Sequence, residues 1–158
     1  MESETSSGDE AILLTITDRD GRHYPVEYFR YDTGPDFFVY DQQIRIGHAY
    51  CLTQQETLYL ADLCISNAAR IPGGQLHWLL GLRPRTRDYS GRGIGSALLQ
   101  LVIQKARELG FHRISGEVMR SDPRYVPSLL DWYRHHGFDV ITGEGKPNII
   151  ASLSMRLK

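Results

Sequence analysis

The sequence of 158 residues is poor in cysteine: it has two, Cys51 and Cys64, and neither belongs to a CxxC pair. That is too few for a disulfide framework, so both are expected to be buried free thiols. Long apolar runs are also missing. Nothing approaches the ~20 residues that cross a bilayer, so no membrane partner is expected. Neither sign of charge dominates, since the formal net charge is −1. This excludes a global attraction to nucleic acid or to an acidic surface, and any anion site must be local. Repeats and low-complexity blocks are absent beyond the start of the chain. That start, "MESETSSGDE" (1–10), lacks both a basic region and an apolar run. It is expected to be a short disordered tail rather than a signal peptide. A reducing, cytoplasmic location follows as an expectation.

What is present suits one globular domain over residues 11–158. Hydrophobic residues make up 41% and charged residues 23%, and this length supports a real core. The first third reads as strands. "AILLTIT" (Ala11–Thr17) is followed by the turn signal "DRDG" (Asp18–Gly21), then "HYPVEYFRYD", the turn "TGPD" (Thr33–Asp36) and "FFVY". Ile44–Thr53 and Thr57–Ile65 read as a hairpin leading into a buried strand. Ser66–Ser90 shows no period and reads as a long loop or insertion. Such a loop is often a lid or a binding segment. Its arginines Arg83, Arg85 and Arg87 are either solvated or close to an anionic ligand. His77 and Trp78 either pack or line an acceptor site.

From Gly93 the period changes. Ile94, Leu98, Leu101, Val102, Lys105, Ala106 and Leu109 recur at helical spacing, and Gly110 stops the helix. Phe111–Met119 reads as a strand. A second helix is expected from "SDP" (Ser121–Pro123), with Pro127 in its first turn and Gly137 ending it. "FDVI" and "IIASLSMRL" are final strands. A helix crossing between strands implies a partly parallel sheet of α/β (α+β) class.

The helix starting at Gly93 is preceded by alternate glycines: Gly91, Gly93 and Gly95 in "DYSGRGIGSALL". A helix start carries unpaired N–H groups and the positive end of the macrodipole, which together suit phosphate. Glycine lets the backbone close on the oxygens, and Arg92 adds a charge. A loop that merely turns tightly is the structural alternative. Two nucleotide patterns do not fit. The P-loop needs a lysine after its glycine, and Gly95 is followed by Ser96 and Ala97. The dinucleotide fingerprint needs a glycine where Ser96 stands.

"SGRGIGSALL" resembles the acetyl-CoA-binding motif of the GNAT acetyltransferases, [Q/R]-x-x-G-x-[G/A]. Gly93 and Gly95 match it; Ser90 stands where the family carries Gln or Arg, and Arg87 is a possible substitute. "LLDWYRHHGF" (Leu129–Phe138) is similar to the family's second signature. The resemblance implies a mixed, centrally splayed sheet with helices on both faces, here with a β-rich N-terminal part. It implies that Ser90, Gly91, Arg92, Gly93, Ile94, Gly95 and Ser96 cradle the pyrophosphate of acetyl-CoA. Backbone of Leu63, Cys64 and Ile65 would contact the pantetheine arm, with Ile65 or Cys64 giving an N–H to the thioester carbonyl. Tyr133 would protonate the leaving thiolate. Val126 stands where the family often has asparagine, with Ser121 or Asp122 as polar substitutes.

Acetyl transfer to an amine also needs a base. Asp62 is the first candidate and Glu117 the second; Glu56 precedes them, and each has a plain reading as a solvated or paired carboxylate. His135 and His136 point about 100° apart on a helix, so one metal could hardly use both; no metal is expected. The function expected is acetyl transfer to a primary amine of a small molecule or peptide. A non-catalytic acyl-CoA-binding or regulatory domain of the same fold is the alternative, and a nucleotide-binding oxidoreductase domain a more remote one. Family members often dimerise, and the final strand Ile149–Leu157 offers an edge for a homodimer.

Overall fold

The computed structural model describes residues 10–70, 79–81, 86–143 and 145–158. The expected tail lies almost wholly outside them, as do His77, Trp78, Arg83 and Arg85. Five strands open the chain as a meander: β1 (Ile12–Thr17), β2 (His23–Tyr31), β3 (Gly34–Asp41), β4 (Ile44–Gln54) and β5 (Thr57–Ile65). Two short strands follow, β6 (Ala69–Arg70) and β7 (Thr86–Arg87). Then come helix α1 (Ile94–Glu108), β8 (Arg113–Met119), helix α2 (Ser128–His135), β9 (Asp139–Thr142) and β10 (Ile149–Arg156). Eight strands form one mixed sheet in the order β1-β2-β3-β4-β5-β8-β10-β9. Only β5 and β8 pair in parallel, as a helical crossover through α1 requires.

One face of the meander is apolar by simple alternation. Tyr24, Val26, Phe37, Val39, Ala49 and Leu58 have no exposed surface. Helix α1 lays Ile94, Leu98, Leu99, Val102, Ile103 and Ala106 into this core. Each large aliphatic side chain so buried contributes about 1.5–3 kcal/mol. The buried stripe is wider than the expected one: Leu99 and Ile103 join it, while Leu101 and Lys105 flank it half-buried. Gly110, at φ 83°, ends the helix as its position suggested.

The parallel pairing is short. It runs from Thr57 opposite Arg113 to Leu60 opposite Gly116 and then stops. A bulge explains the divergence. In the β4–β5 ladder Tyr50 faces Asp62 while Cys51 faces Leu60, so Ala61 is an extra residue. Such a bulge bends its strand and strengthens the twist. The strands also approach closely at the last pair, where a Cβ on Gly116 would lie 3.1 Å from the Leu60 carbonyl oxygen. Beyond that point β5 and β8 splay apart, as the resemblance implied.

Three expectations change. The final strand is not an edge. β10 lies between β8 and β9, because β9 and β10 form a hairpin that folds back, so β1 and β9 are the edges. Gly34, Pro35 and Asp36 belong to β3 rather than to a turn; the turn closes at Asp32–Thr33. Helix α2 begins at Ser128, with Pro127 as its N-cap, and not at Ser121. The base of the Ser66–Ser90 segment is tied down. β6 pairs with β7, Tyr89 N–H donates to the Ser66 carbonyl at 3.0 Å, and the buried Tyr89 hydroxyl donates to Asp41 at 2.7 Å. Among the described residues no helix is long and apolar enough to cross a membrane.

Candidate active site

The splay opens a cleft of about 1190 Å³. One end holds Arg19 and the glycine loop, one wall is β5 beyond Leu60, and the other end holds Glu117, Met119, Asp122 and Arg124. Tyr133 and Trp132 of α2 also face it. Apart from Arg92, every residue expected in the site lines this cleft: Asp62, Leu63, Cys64, Ile65, Ser90, Gly91, Gly93, Ile94, Gly95, Ser96, Glu117 and Tyr133.

The loop is left-handed where its glycines require it. Gly91 has φ 71° and Gly93, the N-cap of α1, has φ 84°. Gly95 lies inside the helix, with its nearest neighbour 3.6 Å from a notional Cβ. No side chain caps α1 and no acidic residue occupies its first turn. Its free N–H groups therefore face the cleft uncompensated.

The side chains around this loop are placed unexpectedly. The Ser90 hydroxyl and N–H both donate to Asp88, at 2.6 and 2.8 Å. Arg92 turns away, its guanidinium over the Tyr89 ring at 5.4 Å from the centroid. Arg87 is 3.6 Å from Asp41, against the same Tyr89. The Ser96 hydroxyl accepts from Trp132 and pairs with His136, both at 3.1 Å, which ties α1 to α2. The rings of His135 and His136 are nearly perpendicular at 6.1 Å, and among the described residues no side-chain cluster suits a metal ion.

The β4–β5 register sorts the backbone of β5. Ser66 N–H donates to the Ile46 carbonyl at 2.7 Å. In an antiparallel ladder bonded and non-bonded pairs alternate. Cys64 opposite His48 and Asp62 opposite Tyr50 are thus bonded pairs. Leu63 and Ile65 turn their N–H and C=O groups toward the cleft instead. Of the two candidates for the thioester carbonyl, the alternation favours Ile65. Gly47 is bare because a Cβ there would lie 2.8 Å from the Cys64 carbonyl oxygen.

Asp62 is doubly engaged. Its carboxylate meets His48 Nε2 at 2.7 Å and accepts from Arg124 at 2.8 Å. Burial pushes its pKa up, but the hydrogen bonds and charges of His48 and Arg124 outweigh burial and leave it below 3.8. It stays ionised wherever an enzyme would work, and it is a weaker base than a free carboxylate. Asp122 is spent on Arg124, at 3.0 and 3.1 Å. Val126 is exposed on the cleft wall and Ser121 lies beside it. Glu117 is 3.7 Å from Lys146. Glu56 pairs with His112, both exposed, at the far end of β5.

Tyr133 is 8% exposed and packs edge-on against Phe138. Burial, helped by the charge of Asp62, pushes its hydroxyl up to about 12. Among the described residues that hydroxyl has no hydrogen-bond partner in the protein. The cysteines differ: Cys51 is buried, its thiol pushed up to about 12, while Cys64 lines the cleft half-buried.

Three residues of the site carried no local signal. Arg19 sits in the "DRDG" turn, His48 in mid-strand, and Arg124 just after Pro123. Strand parity, which puts His48 on the same face as Cys64, Tyr50 and Asp62, was the one clue to the second.

Among curated proteins no relative matches the chain. A Thermoplasma acidophilum PaiA N-acetyltransferase in complex with coenzyme A is similar, with a TM-score of 0.53 and 14% identity over 77% of this chain. The match spans 60% of that protein's length. A Bacillus subtilis acetyltransferase in complex with CoA (0.54, 15% identity, 80% of this chain and 79% of that one) has the same fold. So does an Elizabethkingia anophelis GNAT family acetyltransferase with acetyl-CoA bound (0.54, 17%, 79% and 77%). The Acetyltransferase (GNAT) family model matches residues 10–138, and the chain belongs to that family.

Proposed function

We propose that this protein transfers an acetyl group from acetyl-CoA to a primary amine by direct attack on the thioester. The observation that carries the reading is the cleft itself. It joins a bare helix start, an unpaired strand edge and a protonated tyrosine in one channel. The N–H groups of α1 and its glycine loop hold the pyrophosphate. Leu63 and Ile65 pair with the pantetheine arm, and Ile65 N–H polarises the thioester carbonyl and then holds the oxyanion.

The acceptor nitrogen bonds to the acyl carbon, and the carbon–sulfur bond then breaks. The nitrogen must lose a proton. The sink assigned is His48 acting through water, because Asp62, which lines the cleft, meets its Nε2 at 2.7 Å and orients the ring. Asp62 is thus a positioning residue, and Glu117 lines the same cleft. Tyr133 donates a hydrogen bond to the departing sulfur.

The test is thiol release from acetyl-CoA with a panel of amines: polyamines, aminoglycosides, a peptide with a free N-terminus and one with a free lysine. Release with at least one amine is expected. CoA binding without release by any of them would leave the non-catalytic acyl-CoA-binding domain standing. If no CoA species binds, both readings fail. With an accepted amine, Asp62→Asn is expected to lower kcat about tenfold to a hundredfold with little change in KM for acetyl-CoA. An unchanged kcat would remove the His48–Asp62 route.

A further inference from the structure

The phosphate site lacks the cations its own sequence motif offers. Ser90 is bonded to Asp88, Arg87 is paired with Asp41, and Arg92 lies over Tyr89. Among the described residues, a pyrophosphate at α1 would meet N–H groups there and no free cation from the loop.

Among the described residues a cation does lie on the loop, and it comes from the β1–β2 turn. Arg19 lines the cleft, and its Nη1 is 3.5 Å from the Gly91 carbonyl oxygen. Its stem crosses the face of Gly93 so closely that a Cβ there would be 2.8 Å from Arg19 Cγ. Among the described residues Arg19 has no carboxylate partner, whereas Arg22 from the same turn is bound to Asp41 at 3.1 Å. The turn is braced. Asp18 accepts from Asp20 N–H, Arg22 N–H and the buried Tyr24 hydroxyl, each at 2.9 Å. Arg19 N–H donates to the Arg92 carbonyl at 3.0 Å, which fastens the turn to the glycine loop.

We propose that Arg19 is the cation that binds the pyrophosphate of the acyl-CoA, supplied by the β1–β2 turn in place of the side chain missing at Ser90. The inference rests on the acetyl-CoA reading above and deepens it. The geometry suits the pyrophosphate rather than a phosphate further out. Arg19 lies over Gly91 and Gly93, beside the same N–H groups that would hold those oxygens. An arginine can add two parallel charge-assisted hydrogen bonds there. The bareness of Gly93 acquires a second reason, since it leaves room for the arginine stem as well as for the ligand.

The test is calorimetric affinity of wild type, Arg19→Ala and Arg19→Lys for CoA, dephospho-CoA and pantetheine, with thermal unfolding as the fold control. Arg19 is exposed, so its variants should unfold near the wild-type temperature. Arg19→Ala is expected to weaken CoA and dephospho-CoA alike, by about tenfold or more, and to leave pantetheine unchanged. Arg19→Lys should recover part of the loss. A loss confined to CoA would assign Arg19 to the 3′-phosphate and overturn the proposal. Equal affinities in wild type and Arg19→Ala would overturn it too, with the acetyl-CoA reading intact. Failure of wild type to bind any CoA species would overturn that reading itself.

Discussion

Tyr133→Phe is expected to lower kcat for acetyl transfer about a hundredfold while CoA affinity stays within about twofold. Burial raises the pKa of the Tyr133 hydroxyl to about 12, while an ordinary thiol lies near 8.5. Complete transfer of the tyrosine proton to a thiolate is therefore uphill by about 5 kcal/mol, at 1.36 kcal/mol per pKa unit. The hydroxyl acts as a hydrogen-bond donor to charge growing on sulfur, and the thiolate takes its proton from water. The sign of the shift matters for the pH profile. A raised pKa keeps the donor intact through the alkaline range, so no activity limb from Tyr133 should appear near pH 10. Steady-state kinetics of the variant, together with the alkaline profile of wild type, check both points. Unchanged turnover in Tyr133→Phe would end this assignment.

Gly93→Val is expected to destabilise the fold by about 1–3 kcal/mol and to weaken CoA binding more than tenfold. Gly93 has φ 84°, a region that a β-branched residue adopts only with strain. The new Cβ also meets the Arg19 stem, which must move. Both effects displace the first N–H groups of α1, where the anion would sit. Gly95→Ala is the control. Gly95 is helical and no atom lies within 3.6 Å of a notional Cβ. Alanine there should keep CoA affinity within about twofold and stabilise the helix by up to about 1 kcal/mol. Thermal unfolding and calorimetry separate the two variants. Equal behaviour would show that the left-handed cap does not shape the site.

β5 continues a second face of the sheet. Phe29, Asp36, Tyr50 and Asp62 lie in one row across β2 to β5 by register, and Glu27, Phe38, His48 and Cys64 in the next. Phe38 meets Tyr50 edge-on at 5.8 Å, and Tyr50 stacks near His48 at 4.4 Å. This face differs from the apolar face under α1: it is aromatic and carries carboxylates. It belongs to the β-rich N-terminal part of the chain.

Elements set by neighbours in the chain were legible from residue order alone. Helix α1, its glycine start and its stop at Gly110 follow from periodicity and backbone freedom over a few residues. The same holds for "WYRHHGF", which placed Tyr133 on the cleft. Arg92 was expected beside the phosphates, yet its guanidinium lies over the Tyr89 ring and it does not line the cleft. Asp62 was named as a base, yet it is held ionised by Arg124, 62 positions away, and by His48 on the adjacent strand. The edge expected at the last strand disappeared when β9 folded back beside it. Sequence by itself determined the family, the bare glycine-led helix start and the tyrosine on the cleft, because each rests on local spacing. Tertiary structure alone decided which cation faces the loop, which N–H groups of β5 are free and what partners Asp62. Those depend on contacts such as Arg19 to Gly91, 72 residues apart, and on a ladder register that only the folded sheet defines.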